Sequence, residues 1–340
     1  MNTQDPSQRS TTPATEVAAA SHATIDRRTL IGGALATAAL GAIAATQGTP
    51  PADAAPPGAP ATGSKPAAKA GVARASRMPT LFLPHGGGPC FFMEWTMGPP
   101  DTWNRMADWL RGIPASLPAQ PKALLVISAH WEQPAATLLT APKPPLLFDY
   151  YGFPKHTYEL TWPAPNAVSL LPKVEGLLRA AGIPTAHDAS RGYDHGVFVP
   201  LKLAFPTADI PTMQLSLRAG LDPATHLALG KALAPLRDEG VLIVGSGMSY
   251  HNMRGFMQPQ SLVASKAFDA WLGETVALPT AQREARLQTW AEAPAARASH
   301  PREEHLLPLM VCAGAAGEDA GRVDFRDVVM GVQVAAHRFG

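Results

Sequence analysis

Four short runs of consecutive apolar residues constrain this chain more than any other feature. They are Thr80-Leu81-Phe82-Leu83, the run from Lys122 to Ser128, residues 211–217, and residues 240–246 (Gly-Val-Leu-Ile-Val-Gly-Ser). A strand that is apolar at nearly every position cannot leave one face in water, so both faces of its sheet must be covered. Stretches with helical patterning at 101–111, 166–181, 223–238 and 259–276 supply that cover. Gly182 and Gly240 stand where the second and third should close, as glycine does just past a helix end. The expected fold class is α/β, a single domain with a central, mostly parallel β-sheet flanked by helices. The 35 prolines predict long irregular loops around it.

The amino-terminal region reads differently. Arg27-Arg28 precedes an uncharged, Ala- and Gly-rich stretch from Thr29 to Ala45, the layout of a twin-arginine export signal. Asp26 takes the place of the usual Ser or Thr, and both Ala42-Ile43-Ala44 and Ala52-Asp53-Ala54 suit cleavage. The competing reading is an uncleaved membrane anchor, for which this stretch is short and weakly apolar. Residues 46–77 are dominated by Ala, Pro and Gly and cannot bury enough surface to offset their ordering entropy. The expected organisation is therefore an export signal at 1–45, a disordered linker at 46–77 and a catalytic domain at 78–340. The expected location is periplasmic or secreted. The twin-arginine machinery carries folded proteins, which suits a metalloprotein loaded before export.

Composition narrows the chemistry. A net charge of +1 gives no electrostatic footprint for nucleic acid. Cys90 and Cys312 are too few for a thiolate metal site, and they form either one disulfide or two buried thiols. A metal site must then come from carboxylates and the eleven histidines. Three of these are well placed: His85 follows the first run, His130 follows the second, and His251 lies a few residues past the fourth. In open α/β sheets, ligand sites lie at that carboxyl edge. One histidine at a strand end is commonly a hydrogen-bonded structural residue; three at one edge point to a shared mononuclear site. His195 sits in a Gly-bounded loop before the apolar run 197–205, and His305 stands at the start of a further helix. His156, His187, His226, His300 and His337 lack such placement and read as surface or structural residues.

Gly86-Gly87-Gly88 is no phosphate cradle, since neither Gly-Lys-Ser/Thr nor GxGxxG accompanies it. These glycines read instead as letting the backbone pass close to a metal or substrate. Gly245-Ser246-Gly247 lacks the spacing of a nucleophile elbow, which disfavours a serine hydrolase.

Taken in order, several segments resemble the class III extradiol ring-cleavage dioxygenases, in their DODA-type (4,5-DOPA dioxygenase extradiol-like) branch. They are Pro84-His85-Gly86-Gly87-Gly88-Pro89, Ser128-Ala129-His130-Trp131-Glu132, Tyr150-Tyr151-Gly152-Phe153-Pro154, Asp194-His195-Gly196, His251-Asn252 and the segment from Pro301 to Leu309. The resemblance spans about residues 79–335. It implies that class's α/β fold and a small aromatic diol of catechol type, opened beside one hydroxyl with both atoms of O₂ to a semialdehyde. It also implies a metal held by His85, His130 and His251, Fe(II) for activity and Zn(II) as isolated or native. His195 is implied in the same pocket, as a fourth ligand or as the acid/base.

The residue types suit that chemistry. Removing a proton from the second hydroxyl needs a base with a pKa near 7, a role for His195 or His305. Asp194 is placed to orient a neighbouring histidine. Tyr151 and Phe153 either wall the ring or simply pack their loop. Glu132, two residues after His130, is the carboxylate that competes with His251 for the third ligand position. Glu303 and Glu304 have a sufficient reason in the dipole of the helix they precede. Two other functions compete with ring opening. One is a zinc-dependent hydrolase with Glu132 as base, and the other is a non-catalytic binding relative.

Overall fold

The computed structural model describes residues 77–340. The export signal expected at 1–45, and the linker expected at 46–77 apart from Arg77, lie outside them. One eight-stranded sheet is built from β1 (Thr80–Pro84), β2 (Ala123–Gln133), β3 (Ala136–Leu139), β4 (Thr185–Asp188), β5 (Thr212–Arg218), β6 (Val241–Gly247), β7 (Gly321–Val329) and β8 (Val332–Phe339). Their order is β4-β3-β5-β2-β6-β1-β8-β7. The central four, β5-β2-β6-β1, run parallel and coincide with the four apolar runs. β3 and β8 join this core antiparallel, β4 pairs parallel with β3, and β7 and β8 form an antiparallel pair.

Eight α-helices accompany the sheet among the described residues: α1 (Asn104–Ser116), α2 (Leu171–Ala180), α3 (His195–Ala204), α4 (Pro223–Leu233), α5 (Pro259–Val276), α6 (Thr280–Gln288), α7 (Ala296–Ser299) and α8 (Leu307–Ala316). The two-residue period of a strand divides each central run between two core layers. Leu125, Ile127, Ile243 and Phe82 enter a layer with α2, α4, α5 and α8. Leu124, Val126, Leu242, Val244, Leu81 and Leu83 enter the other, with α1 and α3.

Helix ends shift where proline intervenes. The run 223–238 is α-helical only to Leu233 and tightens into a 3₁₀ turn over Ala234–Glu239, because Pro235 has no N–H to continue the ladder. α3 differs more from expectation, since His195 opens a helix instead of lying in a loop. Nine of its ten residues are buried, so no polar face marked it in the sequence.

Glycines in β6 let α8 approach the sheet edge. A Cβ at Gly247 would overlap the carbonyl oxygen of His305, and one at Gly245 would overlap that of Pro308. The Met248 N–H donates to the His305 carbonyl at 3.0 Å. Gly247→Ala is expected to force this segment off β6, at a cost of about 1–3 kcal/mol typical of overpacking, with lost activity because His305 moves. Thermal denaturation and turnover check this, and a variant retaining both refutes the seating.

Two further buried histidines bear on stability. Burial pushes His300 and His337 down to about 3 from an ordinary 6.5. The His300 Nε2–H donates to the Ser249 carbonyl at 3.0 Å. Neither ring nitrogen of His337 has a hydrogen-bond partner, and its ring stacks on Phe82. The unfolded chain therefore takes up these protons first. Their contribution is complete above pH 6.5 and is lost as pH falls from 6.5 toward 3, by up to about 1.4 kcal/mol per pH unit per histidine. His337→Phe is expected to flatten the acid side of the stability profile in denaturant titrations between those limits. An unchanged slope refutes this.

Candidate metal centre

Five imidazoles meet at the carboxyl edge of the parallel core. β1 runs straight into His85, whose N–H donates to the Gly247 carbonyl at the end of β6 (3.1 Å). His130 lies inside β2, which continues to Gln133 instead of stopping at Ser128. Pairing with β6 ends at Ser128, and pairing with β5 slips between Ile127 and Glu132. Such irregularities re-aim a side chain, and here the one re-aimed is His130. The His130 Nε2 lies 3.2 Å from the His85 Nε2. Ring centroids separate His130 from His195 by 4.0 Å and from His305 by 4.9 Å, and His251 stacks on His305 at 3.3 Å.

Acceptors on the far side of the rings decide which nitrogens face inward. The Nδ1–H of His85 is held by the Gly86 carbonyl at 3.0 Å, that of His195 by Asp149 Oδ1 at 2.8 Å, and that of His305 by Glu304 Oε1 at 2.9 Å. An oxygen without a proton can only accept, so in its neutral form each of these rings carries its proton on Nδ1 and leaves Nε2 free to bind a metal. Glu304 Oε1 also lies 3.3 Å from His251 Nδ1, and Asp149 Oδ2 lies 3.9 Å from His130 Nδ1. Glu304 thus serves two imidazoles, while Asp149 holds one and lies near a second.

The charge states agree with this arrangement. Burial, reinforced by neighbouring imidazoles, holds His85 well below its ordinary value and His130 at about 4, while burial holds His305 low against the pull of Glu304. Burial raises the carboxyls of Asp149 and Glu304, but hydrogen bonds from their histidines overcome it and hold both below their usual values. Neutral imidazoles backed by anionic carboxylates are the state in which histidine binds a metal. The His305 Nε2 is buried without a protein partner, and ligand atoms of His85, His130 and His305 all lie within 4.8 Å of one another. Two other such groups share these rings, His130-Asp149-His195 and His251-Glu304-His305. The donor set fits a transition-metal ion.

Several expectations change. His305, expected only as an acid/base, joins His85 and His130 in the all-histidine group, and His251, expected as the third ligand, stacks on its ring and shares Glu304 with it. Asp194 does not hold a histidine: its carboxylate accepts from Ser128, Arg191 and Gln214, pinning α3 to the sheet. Asp149 holds His195, and it was legible only as the acidic neighbour of the Tyr150–Pro154 motif. Glu304, expected to serve a helix dipole, buttresses two rings. Glu132 is engaged by both terminal nitrogens of Arg302, at 2.6 Å each, and is not free to act as a base. Gly86 and Gly88 have φ of +85° and +55°, a Cβ there would strike Cys90 and Phe153, and all three glycines, Gly87 included, line the cavity in front of the histidines. Cys90 and Cys312 are both free and buried. The remaining histidines among the described residues sit as expected, with His156 and His187 exposed on the surface and His226, His300 and His337 buried in the scaffold.

Beyond the histidines opens a cavity of about 410 Å³, walled by side chains that include Trp95, Trp103, Tyr150 and Phe153. An imidazole cluster able to hold one metal, at the floor of an apolar cavity on the carboxyl edge of a parallel sheet, defines a metal-dependent α/β enzyme. The chain belongs to the family described as the catalytic LigB subunit of aromatic ring-opening dioxygenase, whose model matches residues 79–337. It is 36% identical over 280 residues to dioxygenase tasH of Hapsidospora irregularis, covering 77% of this chain and 85% of that protein. It is 41% identical to the 4,5-DOPA dioxygenase extradiol of Beta vulgaris (59% of this chain, 75% of that one) and 33% identical to that of Escherichia coli (72% and 87%). A crystal structure of an uncharacterized protein from Escherichia coli K12 superposes with a TM-score of 0.63 at 28% identity, covering 78% of this chain and all of that one. The chain is thus an extradiol ring-opening dioxygenase, and its fold is the α/β architecture expected.

Proposed function

We propose that the protein opens the ring of a catechol-type diol beside one hydroxyl, using Fe(II) held by His85, His130 and His305 with His251 closing the same face. The observation that carries this reading is the convergence of unprotonated Nε2 atoms on one point at the floor of an apolar cavity. Bound there, iron supplies the electron-transfer chemistry that lets a diol react with O₂. The chain's own groups do the rest. His195, held by Asp149, presents an Nε2 that takes the proton of a diol hydroxyl and returns it later in the reaction. Asp149 fixes the tautomer and stabilises the charged ring. The aromatic walls orient the diol ring and exclude water. Both oxygen atoms of O₂ end in the semialdehyde product.

Anaerobic loading with Fe(II), followed by oxygen uptake on a panel of catechols, tests the reading. Uptake in step with a yellow ring-fission product is expected. No uptake, with ester or amide cleavage by the zinc form, overturns it in favour of a hydrolase. The role of His195 separates from that of the ligands: His195→Ala should keep most of its metal while losing turnover, and complete metal loss would make it a ligand. For residues 1–45 we propose export of the folded, metal-loaded protein. Replacing Arg27 and Arg28 with lysine is expected to retain it in the cytoplasm.

A further inference from the structure

The cavity in front of the histidines is larger than a bare dihydroxybenzene fills. It adjoins a second hollow of about 490 Å³, the two sharing Met97 and Met330. Together they concentrate the chain's exposed apolar surface. Of the seven exposed large apolar side chains among the described residues, five line these two hollows: Met97, Tyr151, Met253, Met257 and Val328. Apolar side chains left in water around one opening mark a binding surface.

Charge at the opening is equally one-sided. Among the described residues no lysine or arginine lines the inner cavity, and apart from the histidines its ionisable side chains are Asp149 and two tyrosines. In the outer hollow Arg105 is already paired with Asp327, and a second carboxylate, Asp101, stands beside them. An anionic substituent on the diol would meet no free cation here, and it would lose its hydration without a partner. Thioether side chains are flexible and polarisable, so they adapt to apolar groups of varied shape.

From this geometry we infer that the substrate is a catechol carrying an uncharged apolar substituent, alkyl or aryl, which lies on the methionine rim formed by Met97, Met253 and Met330. The inference rests on the ring-opening reading and deepens it. It separates this chain from a catechol amino acid such as DOPA, named in several relatives, whose side chain bears both a carboxylate and an ammonium.

Two measurements test it on the full-length protein. The zinc-loaded form, whose metal has no redox chemistry, is titrated with catechols carrying a tert-butyl, carboxymethyl, aminoethyl or amino-acid side chain. The iron-loaded form is assayed for oxygen uptake with the same compounds. The tert-butyl compound is expected to bind, and to be opened, about 10-fold or more better than each charged one. Equal or better binding of any charged compound overturns the inference. So does failure of the tert-butyl compound to bind. If the zinc form shows the expected ranking but the iron form opens no catechol, the ring-opening reading fails while the apolar preference stands. Met253→Lys, at a largely exposed position, is expected to shift the binding ratio towards the carboxymethyl compound by about 10-fold. An unchanged ratio removes the substituent from this rim.

Discussion

Alanine at position 130 is expected to leave a folded protein that retains almost no metal and opens no ring. The His130 ring is the hub of the centre, with its Nε2 3.2 Å from that of His85 and its centroid within 5 Å of those of His85, His195 and His305. Its removal breaks two of the three possible metal-holding groups. The loss should exceed the roughly 10–100-fold typical of removing a residue that merely buttresses a ligand. Fold is expected to survive, because His130 lies where β2 has already left β6 and the core on both faces is carried by Leu124 to Ile127. Metal analysis by mass spectrometry, with circular dichroism on the same sample, checks this. His156→Ala, on the surface, serves as the control. A folded His130→Ala protein with full metal would sink the assignment.

The second large effect is expected at Glu304. Glu304→Ala should weaken metal binding by about 10–100-fold, although Glu304 itself is not proposed as a ligand. Its carboxylate fixes the Nδ1–H of His305 at 2.9 Å and meets His251 Nδ1 at 3.3 Å. Without it both rings lose the acceptor that sets their tautomer, and the buried His305 ring has no other hydrogen bond to a protein group. Glu304→Gln should fall between the two, since its amide oxygen can still accept from one ring but carries no charge. Glu132→Gln separates this from a general effect of acidic residues nearby. It weakens the partly exposed pair with Arg302, worth about 1 kcal/mol or less, and leaves Glu304 its own contact with Arg302 at 3.3 Å, so metal affinity should be unchanged. Competition against a chromogenic chelator reads all three. A Glu132→Gln loss as large as that of Glu304→Ala would reassign the buttressing role.

Much of this site was legible before any coordinates. The parallel core announces itself because strands covered on both faces must be apolar throughout, and the histidines follow from where those runs stop. The marginal strands did not announce themselves. β4 carries Thr185, His187 and Asp188, and β7 exposes alternate charged residues, so neither forms an apolar run. α3 was hard to read for the opposite reason: it is buried on nearly every side, which erases the period that marks a helix.

The amino-acid sequence by itself determined the fold class, the carboxyl edge as the site, and the five histidines His85, His130, His195, His251 and His305 as its material. These depend on local order along the chain, on which residue follows which strand. The tertiary structure alone decided how the rings are held. Asp149 lies 46 positions from His195 along the chain, and Glu304 must reach both His251 and its own neighbour His305. Which carboxylate backs which imidazole is a matter of through-space distance between segments that only the folded sheet brings together. The same is true of Gly245 and Gly247, whose missing side chains let His305 reach a centre built on strands far from it in the chain.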